Sequence, residues 1–250
     1  MKLSIFLLLA MAGAAFAQDS DPDAAAQKQI IADVRAKAIE YLKNAPNFSC
    51  TQVMRRNVDA SGTNTKWKLV DTIHERLTVI GQKEEYEVLS IGGKKPGNPE
   101  NRPPGLMSLA EFNALLADVF DPKAKADFSW GKWDSLRGHR VHQIAYKVVK
   151  ENSALTIGKK DLTVGMIGLI FADADTGEVL RISNITTDIP SKYPVQAVSM
   201  DLNWEFMKLG EQLALVPIKA DMHEKDGKSL VWNEIEFRDF KPETLKKTSR

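Results

Sequence analysis

Hydrophobic residues recur along this chain with two different periods, and the period sets the element. Ile30, Ile31, Val34, Ala38, Tyr41 and Leu42 fall at helical spacing and draw one apolar stripe. The stripe predicts a helix opened by Asp21-Pro22-Asp23, with Asp21 as N-cap and Pro22 at the first helical position. It stops at Asn44-Ala45-Pro46, because the residue before a proline resists the α conformation. From Phe48 the period changes to two. Residues 48–58 read as a strand with Phe48, Cys50, Met54 and Val58 on one face, and Asp59-Ala60-Ser61-Gly62 as the turn after it. Trp67, Leu69, Ile73, Leu77 and Val79 then alternate with Lys68, Thr72, His74, Arg76 and Thr78, the pattern of a half-buried antiparallel strand. A third strand covers 84–91.

Residues 92–105 carry four glycines and four prolines. A breaker-rich connection of this length predicts a mobile insert or lid. It leads into a second helix, in which Ser108 and Glu111 form an S-x-x-E capping box and Met107 can staple onto Phe112. Leu109, Phe112, Leu115, Leu116, Val119 and Phe120 make one side of that helix apolar, and Asp121-Pro122 ends it. Strands follow at 126–134, 139–149, 161–172, 178–187, 195–207, 212–223 and 228–240. Turn residues separate several of them: Arg137-Gly138, Asp175-Thr176-Gly177 and Asp226-Gly227. Short connections imply an antiparallel meander. Gly165 and Gly168 interrupt the most apolar strand, where a sheet bends or another group approaches closely. About ten strands cannot remain a flat sheet. The expected fold is mainly β with two or three helices. Its strongly curved antiparallel sheet forms a half-open barrel, with the helices packed in or over the concave face. No repeat or linker divides residues 18–250, which read as a single half-barrel domain.

The first residues change the picture of compartment. Lys2 is a positive n-region, residues 3–15 an apolar h-region, and Ala15-Phe16-Ala17 an A-x-A cleavage site. Residues 1–17 therefore read as a signal peptide, with cleavage after Ala17. The stretch is short for a bilayer span and no other run approaches 18 apolar residues. The expectation is a periplasmic or secreted protein that is not an integral membrane protein. Lys and Arg total 34 against 33 Asp and Glu, and removal of Lys2 balances the two signs. A balanced chain lacks the basic excess that nucleic-acid binding needs. Cys50 is the single cysteine, so no internal disulfide forms and the residue reads as a small buried hydrophobe.

Catalytic signatures are sparse. His139 and His142 stand three apart in a strand and so face opposite sides, which argues against a shared metal. Asp173-Ala-Asp175-Thr-Gly177 begins like a calcium loop, but its Gly comes one place early and position twelve is Asn184, so a hairpin explains it better. G-x-S-x-G, Walker A, GxGxxG and HExxH motifs are absent, and the reading assigns no cofactor and no catalytic residue. An enzyme would need a His–carboxylate pair in a cleft, and the spacing assembles none. What stands out is apolar face material. Val198, Met200, Leu202, Trp204 and Phe206 share one strand face, opposite Ser199, Asp201, Asn203 and Glu205. With Phe112 and Leu116 of the second helix, and Trp130, they form either an ordinary core or the lining of an apolar cavity.

The order of elements, the hairpin Leu169-Ile-Phe171-Ala-Asp173-Ala-Asp175-Thr-Gly177-Glu-Val179-Leu-Arg181-Ile182, the Leu215-Val216-Pro217 strand entry and the closing Ile235-Glu-Phe237-Arg-Asp-Phe240 carry a resemblance. They are similar to the periplasmic lipoprotein-carrier fold, the LolA/LolB-like group. The resemblance implies a half-open barrel that holds acyl chains under helical lids. It makes Val198, Met200, Leu202, Trp204, Phe206, Phe112, Leu116 and Trp130 the candidate ligand-binding residues. The ligand would be a lipid or lipoprotein acyl chain, with transient cell-envelope partners. The alternative is a non-catalytic envelope structural or interaction module with a filled core.

Overall fold

The computed structural model describes residues 20–81, 83–100, 109–158 and 162–244, the side chains of 109–112 apart. A first helix, α1 (Ala24–Asn44), leads into β1 (Phe48–Asp59), β2 (Lys68–Ile80) and β3 (Lys83–Ile91). A second helix, α2 (Leu109–Phe120), precedes β4 (Asp127–Leu136) and β5 (His139–Val148). A two-residue pair, β6 (Thr156–Ile157) and β7 (Leu162–Thr163), comes before β8 (Gly165–Asp173), β9 (Val179–Thr187), β10 (Val195–Leu209), β11 (Gln212–Asp226) and β12 (Ser229–Pro242). Short 3-10 turns at Pro122–Ala124 and Lys150–Asn152 supply the remaining helical residues.

Ten of the strands make one antiparallel sheet in the order β3-β2-β1-β12-β11-β10-β9-β8-β5-β4. Each half is a meander, as the short turns require. The halves meet through β1 and β12, which pair from Phe48↔Pro242 to Asp59↔Leu230. The sheet is curved and open, with β3 and β4 as free edges, and does not close into a barrel. Register shifts break the ladders at Arg56/Asn57, Asn203/Trp204, His74/Glu75, Trp130/Lys132 and Phe171/Ala172. Bulges bend a strand and increase its twist, and so many in one sheet give it its curl.

Two boundaries differ from the sequence reading. The N-cap of α1 is Asp23 rather than Asp21: its carboxylate accepts from the amides of Ala25 and Ala26 at 2.9 and 2.8 Å. Pro22 thus precedes the cap, and Asp21 instead accepts the Trp130 indole N–H at 3.3 Å. The expected 161–172 strand begins its sheet pairing at Gly165, because Leu162 and Thr163 pair with Ile157 and Thr156 in the small β6–β7 hairpin. The capping box at Ser108, the Met107 staple, residues 101–105 of the breaker-rich loop and the 1–17 leader lie outside the described residues.

The core fills the concave side. Phe48, Cys50 and Met54 of β1, Leu77 and Val79 of β2, Ile235 of β12, and Leu202 and Trp204 of β10 are all buried there. From the helices come Val34, Ala38, Leu115, Leu116, Val119 and Phe120. Phe120 stacks on Phe128 of β4 with centroids 5.8 Å apart. Burial raises the Cys50 thiol to about 12, so it packs as an unreactive hydrophobe. Among the described residues no helix is long and apolar enough to cross a membrane.

Candidate functional site

The wall on β10 is built by alternation alone. Val198, Met200, Leu202 and Trp204 are buried on one face, and Phe206 at the far end is half-buried. Their cross-strand partners extend the wall sideways: Met200 faces Met222, Leu202 faces Ala220 and Ile182, and Phe206 faces Leu215. Such pairs are the unit of sheet stabilisation. α1 lies on this wall through Tyr41, whose ring meets the Trp204 ring edge-on at 6.4 Å. Leu116 of α2 approaches the same spot. Where Ala38, Tyr41, Leu116, Val179, Trp204 and Leu215 converge there is no room for a water molecule.

Of the eight candidate residues, the structure gathers Leu116 and the β10 row. Trp130 stands on β4, four strands from β10 in the sheet order, or roughly 19 Å at normal strand spacing. Its ring packs with Trp133 at 5.3 Å and with His142 at 5.4 Å. Phe112 lies on α2, and its side chain is outside the described residues.

The wall is not wholly apolar. The Glu178 Oε2 and Asn184 Nδ2 atoms are buried without a hydrogen-bond partner. Burial pushes the Glu178 carboxyl above its ordinary value against the pull of the Lys37 ammonium. Gln52 and Glu75, side by side on β1 and β2, are also fully buried and share a 3.2 Å hydrogen bond. Period-two counting could have placed both inward, since each lies between apolar residues on the same face.

A His–carboxylate arrangement, which the sequence reading did not assemble, occupies the opposite, convex face. His139 Nδ1 is 2.9 Å from Asp173 and Nε2 is 3.0 Å from Glu205. Arg137 donates to Glu205 at 2.7 Å, to Asn203 at 3.0 Å and to the Trp204 carbonyl at 2.5 Å. The four side chains come from the β4–β5 turn, β5, the end of β8 and β10, so no local spacing reveals them. Both ring nitrogens are engaged by carboxylates, which makes the group a clamp between strands rather than a base with a free lone pair. Asp173 also receives the Asp175 and Thr176 amides and the Thr176 hydroxyl, which makes 173–177 the expected hairpin. Among the described residues no three His, Cys, Asp or Glu side chains come together to hold a metal ion.

His142 projects the other way, toward α1, as the strand period requires. Burial, then the nearby Arg140 guanidinium, hold its imidazole below the ordinary value of 6.5. For Asp173, burial raises the carboxyl, but the Thr176 amide and the other donors outweigh it and hold it low. Both shifts have the same sign for stability. A native state that resists protonation loses its advantage as pH falls. The His142 contribution is complete above about pH 6.5 and is lost below it; that of Asp173 is lost below about pH 4. Burial of Glu178 and Glu224 acts in the opposite sense. The comparison is therefore with His142→Gln: from pH 8 to pH 5 the urea midpoint of the wild type should fall more than that of the variant. Parallel curves would contradict the assignment.

Neither a protein-family model nor a curated protein sequence matches the chain. Among solved structures it is similar to a DUF1329 family protein from Desulfovibrio piger, at 10% identity, 90% of this chain, 95% of that chain and a TM-score of 0.42. It is also similar to a domain described as an outer membrane lipoprotein-sorting protein, from Vibrio parahaemolyticus: 11% identity, 89% and 95% coverage, TM-score 0.41. A third likeness is to the Mycobacterium tuberculosis lipoprotein LppX, at 8% identity, 87% and 97% coverage and a TM-score of 0.31.

Proposed function

We propose that the chain is an exported, periplasmic carrier that takes up an apolar ligand, an acyl chain of a lipid or lipoprotein, against the concave wall of its sheet. The observation that carries this reading is the wall itself. It is an uninterrupted row, Val198 to Trp204, on the concave face of a sheet with two free edges, roofed by helices rather than by a second sheet. A sandwich would bury such a row permanently between strands. A helical roof can lift without breaking a ladder hydrogen bond. The leader-like residues 1–17 and the balanced charge support an exported protein that meets its ligand through apolar contact.

Uptake is then displacement of α2 from the wall, since the Leu116–Trp204 contact is closed. A fluorescent fatty-acid probe should bind the wild type saturably. Leu116→Ala, which loosens the roof, should speed binding while lowering stability by about 2–5 kcal/mol. Native mass spectrometry of protein from its own envelope should show co-purified lipid. The packed junction at Trp204 favours a second reading, an envelope module with a filled core. Absence of saturable probe uptake by both wild type and Leu116→Ala would establish that reading instead.

A further inference from the structure

On the convex face a half-open pocket of about 220 Å³ lies over β10. Asp201 and Asn203 of β10 line it, and their neighbours across the ladders are Ser183 and Arg181 on β9 and Asp221 and Lys219 on β11. Arg137 and Ile218 complete the lining. The register shift at Asn203/Trp204 gives β11 its extra residue, Ile218, at this point. Bulges of this kind re-aim side chains beside binding sites.

Most of the charges here are already matched. Arg137 pairs with Glu205 at 2.7 Å, and Lys219 with Asp221 at 3.3 Å and Glu234 at 3.2 Å. Two charges of opposite sign are not matched. Arg181 and Asp201 both line the pocket, yet neither makes an ion pair with the other or with any other described residue. Neutral groups hold each in place: Arg181 donates its Nε–H to Asn203 Oδ1 at 2.7 Å, and Asp201 accepts from the Ser183 hydroxyl. The guanidinium also lies 5.7 Å from the Phe171 ring centroid. Its two terminal nitrogens have no hydrogen-bond partner among the described residues, and Asp201 has filled only one of its acceptor sites. Asn203 carries the argument further. It is 5% exposed, and its Oδ1 accepts from Arg137 at 3.0 Å as well as from Arg181. Both guanidiniums can only donate, so the amide cannot flip. Its Nδ2 is thereby left without a partner among the described residues, and an unused donor on so buried a side chain calls for an explanation.

We propose that this pocket binds a small zwitterion. Its oxyanion is taken by the terminal nitrogens of Arg181 and by Asn203 Nδ2, its ammonium by Asp201, and its short carbon stem rests against Ile218. The guanidinium fork matches two oxygens of a carboxylate or phosphate, and a carboxylate makes the complementary charge-assisted bond to an ammonium. A lone anion would be left beside Asp201 and a lone cation beside Arg181, whereas a ligand with one charge of each sign matches both. The volume admits a ligand of amino-acid size. An α-amino acid and a phosphoethanolamine group share this chemistry. The site stands apart from the concave wall and does not require the carrier reading.

The test is titration of the full chain with glycine, O-phosphoethanolamine, acetate and methylammonium, with the Asn203 side-chain amide and the Arg181 Nε–H followed by NMR. At least one of the two zwitterions should move both signals saturably and bind at least about tenfold tighter than acetate or methylammonium, the scale of a charge-assisted hydrogen bond. Asp201→Asn, which keeps an acceptor for Ser183, should weaken that zwitterion by about tenfold while tightening acetate. Arg181→Lys, which keeps the charge but removes the fork, should weaken both. The comparison of the four ligands uses the wild type alone, so it holds even where a variant fails to fold. Tighter binding of glycine identifies a free amino acid, and tighter binding of O-phosphoethanolamine a phospholipid headgroup. Acetate binding as tightly as either zwitterion, or no movement of the Asn203 amide with any of the four, would overturn the proposal. Because both signals lie on the convex face, fatty-acid uptake can fail without affecting this result.

Discussion

Trp204→Ala is expected to lower the unfolding free energy by about 3–5 kcal/mol, the largest loss for any single apolar truncation on β10. The indole is 1% exposed and touches both helices as well as β11. Its removal deletes the Tyr41 edge contact, the floor beneath Leu116 and the side of Leu215 together. No space exists there for neighbours to fall into gradually, so the cavity term adds to the transfer term. Urea denaturation followed by far-UV circular dichroism measures the change. A loss near 1 kcal/mol would show that the helices re-seat on a smaller side chain, which is the behaviour of a roof that moves. In that case the variant should also take up the fatty-acid probe faster than the wild type.

Gly168→Val should cost at least about 3 kcal/mol, at the upper end of the overpacking range. Here the expected close approach in the most apolar strand is found. A Cβ at position 168 would overlap the Ser183 carbonyl on β9 and lie 2.6 Å from the Tyr146 ring on β5. Tyr146 cannot retreat, because its hydroxyl donates to Asn184 at 2.9 Å inside the core. The missing side chain at 168 is the slot that lets a buried tyrosine cross β8. Gly97→Ala makes the control: nothing lies within 4 Å of its added Cβ, and its backbone is not left-handed. It should be nearly neutral in the same denaturation assay.

These two sites show what a sequence discloses and what it withholds. The β10 face could be read because alternation is strict from Val198 to Phe206 and because its bulge falls on the β11 side, at Ile218, leaving the β10 count intact. The ten sheet strands could be counted because glycine-bearing turns mark most of their ends. Asp23 rather than Asp21 is the cap because the first helical residue is Ala24; both aspartates satisfy the same local rule, so the choice between them was not legible in the sequence. The His139 clamp depends on Asp173 and Glu205, 34 and 66 residues away, brought together by strand order rather than spacing. His142 could be assigned to the opposite face, yet its place beside α1 and the β8–β9 turn depends on how those elements pack, which no periodicity specifies. Trp130 looked like a partner of Trp204 because both are tryptophans in inward-facing strands; three strands of sheet lie between theirs.

The pairing of β1 with β12 sets the order in which the molecule can be made. Arg55 and Glu234, bonded across that seam, are 179 residues apart. The seam between the third and fourth strands of the sheet is therefore the last part of the backbone to acquire its neighbours. Until residue 242 is available, the meander β1–β3 presents one naked strand edge and the meander β4–β11 another. Each is long and half apolar, and each is a template for pairing with the wrong chain. Loop closure over that span is slow relative to local hairpins. Assembly should consequently pause with two finished halves and an open seam, a species that a holdase chaperone would recognise and that a synthetic peptide of the β12 sequence could trap.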